Sequence, residues 1–172
     1  MRRTAILLTL ASFTIAGCGY HTVGGSTHLP PDITTLSIPV FATRTNAYRT
    51  ETVMTAAVIR EFATRTRLRV TPDPHGDPDT TLHGTILTQT VAPLTYNSQT
   101  QQSSSFLITL TAAVTLTARD GRVLYKNDNY VFRQQYQATT DLPTFLDESP
   151  AAVDRLSRDF AKALVSDVLE SF

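Results

Sequence analysis

The chain has 172 residues, with 15 basic and 15 acidic side chains, nine prolines and one cysteine. That length suits one domain with a core of its own, a single cysteine excludes an internal disulfide, and a balanced charge without a basic stripe argues against nucleic acid as a partner. Lysine occurs only at positions 126 and 162 and threonine is frequent, a composition that suits a sheet whose open face is polar but uncharged.

Arg2 and Arg3 precede a twelve-residue apolar run, Ala5 to Ala16. A positive start followed by a short apolar core reads as a signal peptide over residues 1–17, and the run falls short of the roughly 20 apolar residues that a spanning helix needs. Ile15-Ala16-Gly17-Cys18 closes it and contains the only cysteine. These four residues resemble the lipobox of bacterial lipoproteins, which implies cleavage between Gly17 and Cys18 and a covalent lipid on Cys18. Several acyl chains on one cysteine hold a protein firmly where a single chain binds only marginally. Gly19 rather than Asp follows the cysteine, and by the same resemblance this implies release to the outer membrane. The plainer alternative is an ordinary secretory cleavage site with a small cysteine beside it. Removing residues 1–17 leaves 155 residues, and without Arg2 and Arg3 the balance is 13 basic to 15 acidic.

Residues 18–31, with Gly24, Gly25, Pro30 and Pro31, read as a tether. From Gly19 to Pro31 it reaches at most roughly 3.3–3.6 Å per residue, and residues 32–172 form the single domain. Thr34 to Phe41 alternates Leu36, Ile38 and Val40 against Thr35, Ser37 and Pro39, the period of a strand with one buried face. Pro39 cannot donate to a ladder, so it ends this strand, places it at an edge or marks a bulge. Over Arg49 to Thr66, Val53, Met54, Ala57, Val58 and Phe62 recur at helical spacing. A short strand at Leu68 to Val70 then suggests a crossover between parallel neighbours.

Thr71 to Asp79 is rich in turn residues. Asp73, Asp77 and Asp79 invite comparison with a calcium loop, but Pro74 and Pro78 interrupt the spacing and Gly84 stands where the bidentate Glu belongs. Thr80 to Val91 is the next strand, with Leu82, Gly84 and Ile86 on one face, and Pro93 to Ser104 is expected to be a long polar connection. Phe106 to Thr117 sets Phe106, Ile108, Leu110, Ala112, Val114 and Leu116 against Thr109, Thr111, Thr115 and Thr117. Asp120-Gly121 marks a hairpin turn. The return strand, Arg122 to Tyr136, places Val123, Tyr125, Asn127, Tyr130, Phe132 and Gln134 on one face, with a phase slip that predicts a bulge near Asn127 to Asn129. Ser149 and Pro150 fit the N-cap and first position of a last helix, whose apolar face is Val153, Leu156, Phe160, Leu164, Val168 and Leu169. The fold expected is α+β: a two-layer sandwich in which a mixed, mostly antiparallel sheet carries two helices on one face.

No catalytic motif is evident: there is no Gly-x-Ser-x-Gly, no His-Glu-x-x-His and no phosphate-binding glycine loop. His21, His28, His75 and His83 lack the spacing of metal ligands. No cofactor or metal is expected beyond the lipid on Cys18.

Cys18-Gly19-Tyr20-His21 with Gly24 and Gly25, Leu36 to Phe41, Tyr48, Glu51 and Arg60-Glu61-Phe62 together resemble the LptE family of lipopolysaccharide-assembly lipoproteins. So do the Leu-x-Gly-x-Ile core of Asp79 to Ile86 and the run from Gly121-Arg122-Val123-Leu124-Tyr125 to Phe132-Arg133-Gln134-Gln135-Tyr136. The resemblance spans the mature chain and lies in the order and spacing of the segments. It implies a non-enzymatic lipoprotein on the periplasmic side of the outer membrane that sits inside the large β-barrel LptD, helps it assemble and assists lipopolysaccharide delivery. A threonine face suits the polar wall of a barrel interior, although an antiparallel sheet also commonly leaves one polar face in water. Arginine forks match phosphate, so Arg119, Arg122, Lys126 and Arg133 are the expected contacts with lipopolysaccharide or a partner. The alternative is a lipid-binding auxiliary lipoprotein of another envelope transport system, with an apolar cavity between sheet and helices.

Overall fold

The structure is a computed structural model that describes residues 32–45, 50–96, 103–137 and 150–171. Six strands and two helices follow in the order β1 (Thr35–Ser37), β2 (Ala42–Thr43), α1 (Thr50–Arg65), β3 (Arg69–Thr71), β4 (Thr80–Tyr96), β5 (Ser103–Ala118), β6 (Val123–Gln137) and α2 (Pro150–Glu170). They form one mixed sheet in the order β3-β1-β4-β5-β6, with β2 also pairing with β4. The short strands β1, β2 and β3 pair in parallel, while β4, β5 and β6 form a long antiparallel meander. The expected α+β architecture is therefore the one observed, with α1 connecting the parallel neighbours β1 and β3.

Leu36 and Ile38 from the first strand region, Leu82 and Ile86 from β4, and the even-numbered residues from Phe106 to Leu116 of β5 are all buried. Met54, Val58 and Phe62 of α1 and Leu156, Phe160, Leu164 and Val168 of α2 join them in one cluster. Fully burying a side chain of this size contributes roughly 1.5–3 kcal/mol, so this layer supplies most of the drive to fold. Tyr130 and Phe132 of β6 both meet Phe160 of α2 edge-on, with ring centroids 5.9 Å apart, an arrangement favoured by the ring quadrupoles.

Proline placement explains two departures from regular strands. Pro39 divides the first apolar run, so that β1 ends at Ser37 and β2 pairs further along, Ala42 with Thr85 and Thr43 with Ile86. Pro93, by contrast, lies inside β4, which runs to Tyr96 instead of stopping near Val91. The expected long polar connection from Pro93 is thus corrected: its first residues and its last two are strand. At this end β4 has lost its parallel neighbours, and an edge strand tolerates a missing N–H; a register shift between Pro93 and Thr95 marks the accommodation.

Bulges set the phase of the other long strands. The slip expected near Asn127 is present: Val114 pairs with Asn127 and Ala112 with Tyr130. A second shift between Leu116 and Thr117 places Val123 opposite Thr117 on the open face, 52% exposed, and not in line with Tyr125 as the alternation suggests. The turn before it is closed by hydrogen bonds from Gly121 N to Ala118 O and from Ala118 N to Arg122 O. Gly121 adopts φ 85°, the left-handed conformation that glycine enters without strain.

Gly84 has a different reason to be glycine. A Cβ there would lie 2.7 Å from three carbons of the Phe41 ring, which packs flush on the β4 backbone. Phe41 is held in turn by its own N–H, which donates to Thr55 Oγ1, while that hydroxyl donates to the Glu51 carbonyl one turn earlier in α1. Gly84→Ala is expected to destabilise the domain by about 1–3 kcal/mol, the usual cost of overpacking. A urea titration would show this as a lower midpoint at unchanged slope.

Candidate interaction surface and its charged margins

Because side chains alternate across a strand, the residues opposite the core line an open face of β4, β5 and β6. Register places Thr90, Thr109 and Arg133 in one row, Thr88, Thr111 and Val131 in the next, then Thr85 beside Ala113, then His83, Thr115 and Lys126, and finally Thr81, Thr117 and Val123. Four of these threonines belong to β5 and were evident from its alternation. The β4 threonines at 88 and 90 were not, since simple alternation from Leu82, Gly84 and Ile86 would turn them toward the helices. A register shift between Ile86 and Thr88 reverses the phase, which keeps Gln89 and Val91 opposite Leu110 and Ile108 and turns Thr88 and Thr90 outward. The readable signal is the doublet Ile86-Leu87, two apolar residues in succession where the pattern changes phase.

Of the four cations singled out in the sequence, two lie at the β5–β6 turn and two on the open face of β6. Arg119 is engaged by its surroundings: Nη2 donates to Asp77 O at 2.7 Å and to Asp79 Oδ1 at 2.8 Å, and Nε lies 3.2 Å from Asp77 Oδ1. Arg122 is exposed, 3.8 Å from Asp120 Oδ2. Lys126 pairs with Asp128 at 3.0 Å. Arg133 is exposed and, among the described residues, makes no ion pair or side-chain hydrogen bond. Gly17 and Cys18 lie outside the described residues.

The acids of the turn-rich segment are committed to local structure. Asp73 Oδ1 accepts from His75 N, and Asp77 adopts φ 49°. Asp79 is the hub. Its Oδ2 accepts from the backbone N–H and the hydroxyl of both Thr34 and Thr35 at 2.8–2.9 Å, while its own N–H donates to Thr35 Oγ1. The Thr34 backbone N–H, followed by the threonine hydroxyls, holds the Asp79 carboxyl far below the usual aspartate range. A shallow depression of about 310 Å³ lies beside this clamp, bordered by Asp32, Ile33, Arg119, Asp120 and Arg122. Among the described residues no group of three or more His, Cys, Asp or Glu side chains is arranged to hold a metal ion.

Along the other margin α2 meets the edge strand β6 through tyrosines. Tyr136 OH donates to Asp159 Oδ2 at 3.4 Å. Burial, with the Asp159 charge second, pushes the Tyr136 phenol up to about 12. Burial and the neighbouring Asp167 raise Tyr130 further still.

A two-layer α+β domain with helices on one sheet face and a hydroxyl-rich face left open is the class of protein these features define. The sequence model of the family LptE, lipopolysaccharide-assembly, matches residues 33–168, and the chain belongs to that family. Similar folds occur in a hypothetical protein from Chlamydia trachomatis, 9% identical over 80% of this chain and 96% of that one with a TM-score of 0.54. A protein from Xanthomonas campestris is 14% identical over 81% of this chain and 85% of its own, with a TM-score of 0.50. Rare lipoprotein B from Shewanella oneidensis aligns at 11% identity, 80% and 96% coverage and a TM-score of 0.48. Among curated proteins none matches the sequence.

Two predictions follow from the margins. Asp79→Ala is expected to cost about 2–3 kcal/mol, the range for losing several hydrogen bonds to a charged acceptor, read as a lower thermal midpoint at pH 7. In the parent chain the Asp79 contribution is complete above the unfolded aspartate pKa of about 3.9 and is lost only as pH falls through the depressed folded value, so this difference should persist at pH 5 and shrink in stronger acid. The tyrosines work in the opposite direction. Their folded pKa values exceed the unfolded value of about 10, so stability is full below pH 10 and falls between pH 10 and 12. Tyr136→Phe should flatten that alkaline loss, as measured by urea midpoints at pH 8 and pH 11.5.

Proposed function

We propose that the chain is a lipid-anchored, non-enzymatic lipoprotein of the outer membrane that seats in an LptD-like β-barrel and supports lipopolysaccharide assembly. The observation that carries the reading is the family match over residues 33–168. The lipobox-like Ile15-Ala16-Gly17-Cys18 supports anchoring through Cys18, and no helix among the described residues is long and apolar enough to cross a membrane. Seating within a barrel is supported by the open threonine face, since the lumen of such a barrel is polar. A lipid carrier, the rival reading, needs an apolar cavity between its layers; Phe62, Leu110, Phe160 and Leu164 instead pack into one buried cluster there. Direct contact with lipopolysaccharide phosphate falls, on this reading, to Arg133, because Arg119, Arg122 and Lys126 already face carboxylates.

The test is an affinity purification of the tagged, full-length lipoprotein extracted from its own membranes. Recovery of a large β-barrel in equal amount is expected. Recovery of the lipoprotein alone, or with inner-membrane transporter components, would overturn the barrel partnership and leave the lipid-carrier reading ahead.

A further inference from the structure

The open face of β4, β5 and β6 and the outer surface of the helix layer differ sharply in charge. Arg60 of α1 and Arg155, Arg158, Lys162, Asp167 and Glu170 of α2 are all exposed on the helix side. On the open face the three long strands present eight threonines, at 81, 85, 88, 90, 109, 111, 115 and 117, with His83, Lys126 and Arg133 as the only basic residues in the rows. Lys126 is already matched by Asp128. Burying an ion without a well-placed partner costs several kcal/mol, and interface cores are correspondingly depleted of charge. Hydroxyls exchange a hydrogen bond to water for one to a partner at little net cost.

The edges of the sheet offer no alternative route to a barrel. β6 is an outer strand, and a free edge recruits another strand only from a partner with an edge of its own. A closed barrel has none, because every strand is paired on both sides. Contact with a barrel lumen must therefore pass through side chains on a face. The core side of the sheet is already occupied by α1 and α2.

Resting on the barrel reading above, we infer that the threonine face of β4–β5–β6 is the surface that lies against the barrel wall, with Thr88 and Thr111 near its centre and the charged outer surface of the helices turned to the water-filled remainder of the lumen. The wall it fits is a polar, largely uncharged strand surface, with Arg133 left at the β6 margin. Three strands about 4.8 Å apart, followed over some ten residues at about 3.4 Å each, give a face on the order of 500 Å². That is more than half of the roughly 800 Å² per partner of a standard interface.

The test is photo-crosslinking in intact membranes of the full-length lipidated chain, with a benzophenone amino acid placed at Thr88, Thr111 or Arg133, and at Arg60 or Arg158 for comparison. Adducts to the barrel from the three open-face positions, several-fold stronger than those from the helix positions, are expected. Adducts from the helix positions with none from the open face would overturn the assignment of the face while leaving the barrel partnership standing. Adducts to the barrel from no position, together with no barrel on purification, would remove both. Thr90→Glu gives an independent reading, since Thr90 is exposed and neighbours no core residue on its own face. It should reduce co-purified barrel about tenfold at an unchanged melting temperature, and undiminished recovery would overturn the inference.

Discussion

The molecule is organised by the alternation of β5. A strand of sixteen residues whose even positions from Phe106 to Leu116 are all buried cannot slip by one residue without turning that whole set into water. Both of its neighbours must therefore correct their own phase to match it, and they do so with bulges: β4 between Ile86 and Thr88, β6 between Tyr130 and Asn127 and again near Leu124. The helices follow from the same constraint. Once one face of β5 is apolar along its length, α1 and α2 have a common surface on which to bury Phe62, Phe160 and Leu164. The open face arises as a by-product of that arrangement, as the set of side chains that β5 and its corrected neighbours turn away from the core.

Elements with a strong period were legible in the amino-acid pattern itself. The helix expected from Arg49 to Thr66 is found at Thr50–Arg65, and the last helix begins at Pro150. The β5 pattern gave a strand only a few residues short, and the slip at Asn127 located a real bulge. What escaped had a physical cause in each case. Pro93 looked like the start of a connection because the residues from it to Ser104 are mostly polar, but β4 has become an edge by that point and tolerates the proline. Val123 looked like core because its bulge lies beside the turn, where one misplaced residue changes the face. The outward turn of Thr88 and Thr90 depended on the same kind of shift, which local hydrophobicity hints at only through the Ile86-Leu87 doublet.

The charged residues are less legible still, since a sequence gives their type but not their partners. Arg119 and Arg133 were indistinguishable as candidates for a phosphate ligand. In the folded chain Arg119 closes over the Asp77–Asp79 backbone, and its guanidinium helps to position the carboxylate that clamps Thr34 and Thr35. Arg133, fourteen residues later, stands in a row with Thr109 and Thr90 and forms no ion pair among the described residues. The difference comes from the turn-rich segment before β4, whose aspartates looked like a depleted calcium loop and instead serve as turn and clamp residues.

That clamp also secures the segment leading into β1. The hydrogen bonds to Asp79 start at Thr34, so the chain is secured to the start of β4 at the end of the sheet that bears the β5–β6 turn. The same end is acidic, with Asp32, Asp77, Asp79 and Asp120 against Arg119 and Arg122. A tether leading from an acylated Cys18 would therefore deliver the domain to the membrane by an end whose charge is repelled by anionic headgroups and whose arginines are already paired. Such an end has little reason to lie down on a lipid surface, and the domain is left to be oriented by whatever its open sheet face can bind. On the proposed reading, anchor, clamp and threonine face would divide the work: a lipid on Cys18 would hold the protein at the membrane, the acidic end would keep it off the bilayer surface, and the threonine-rich face would be left for a protein partner.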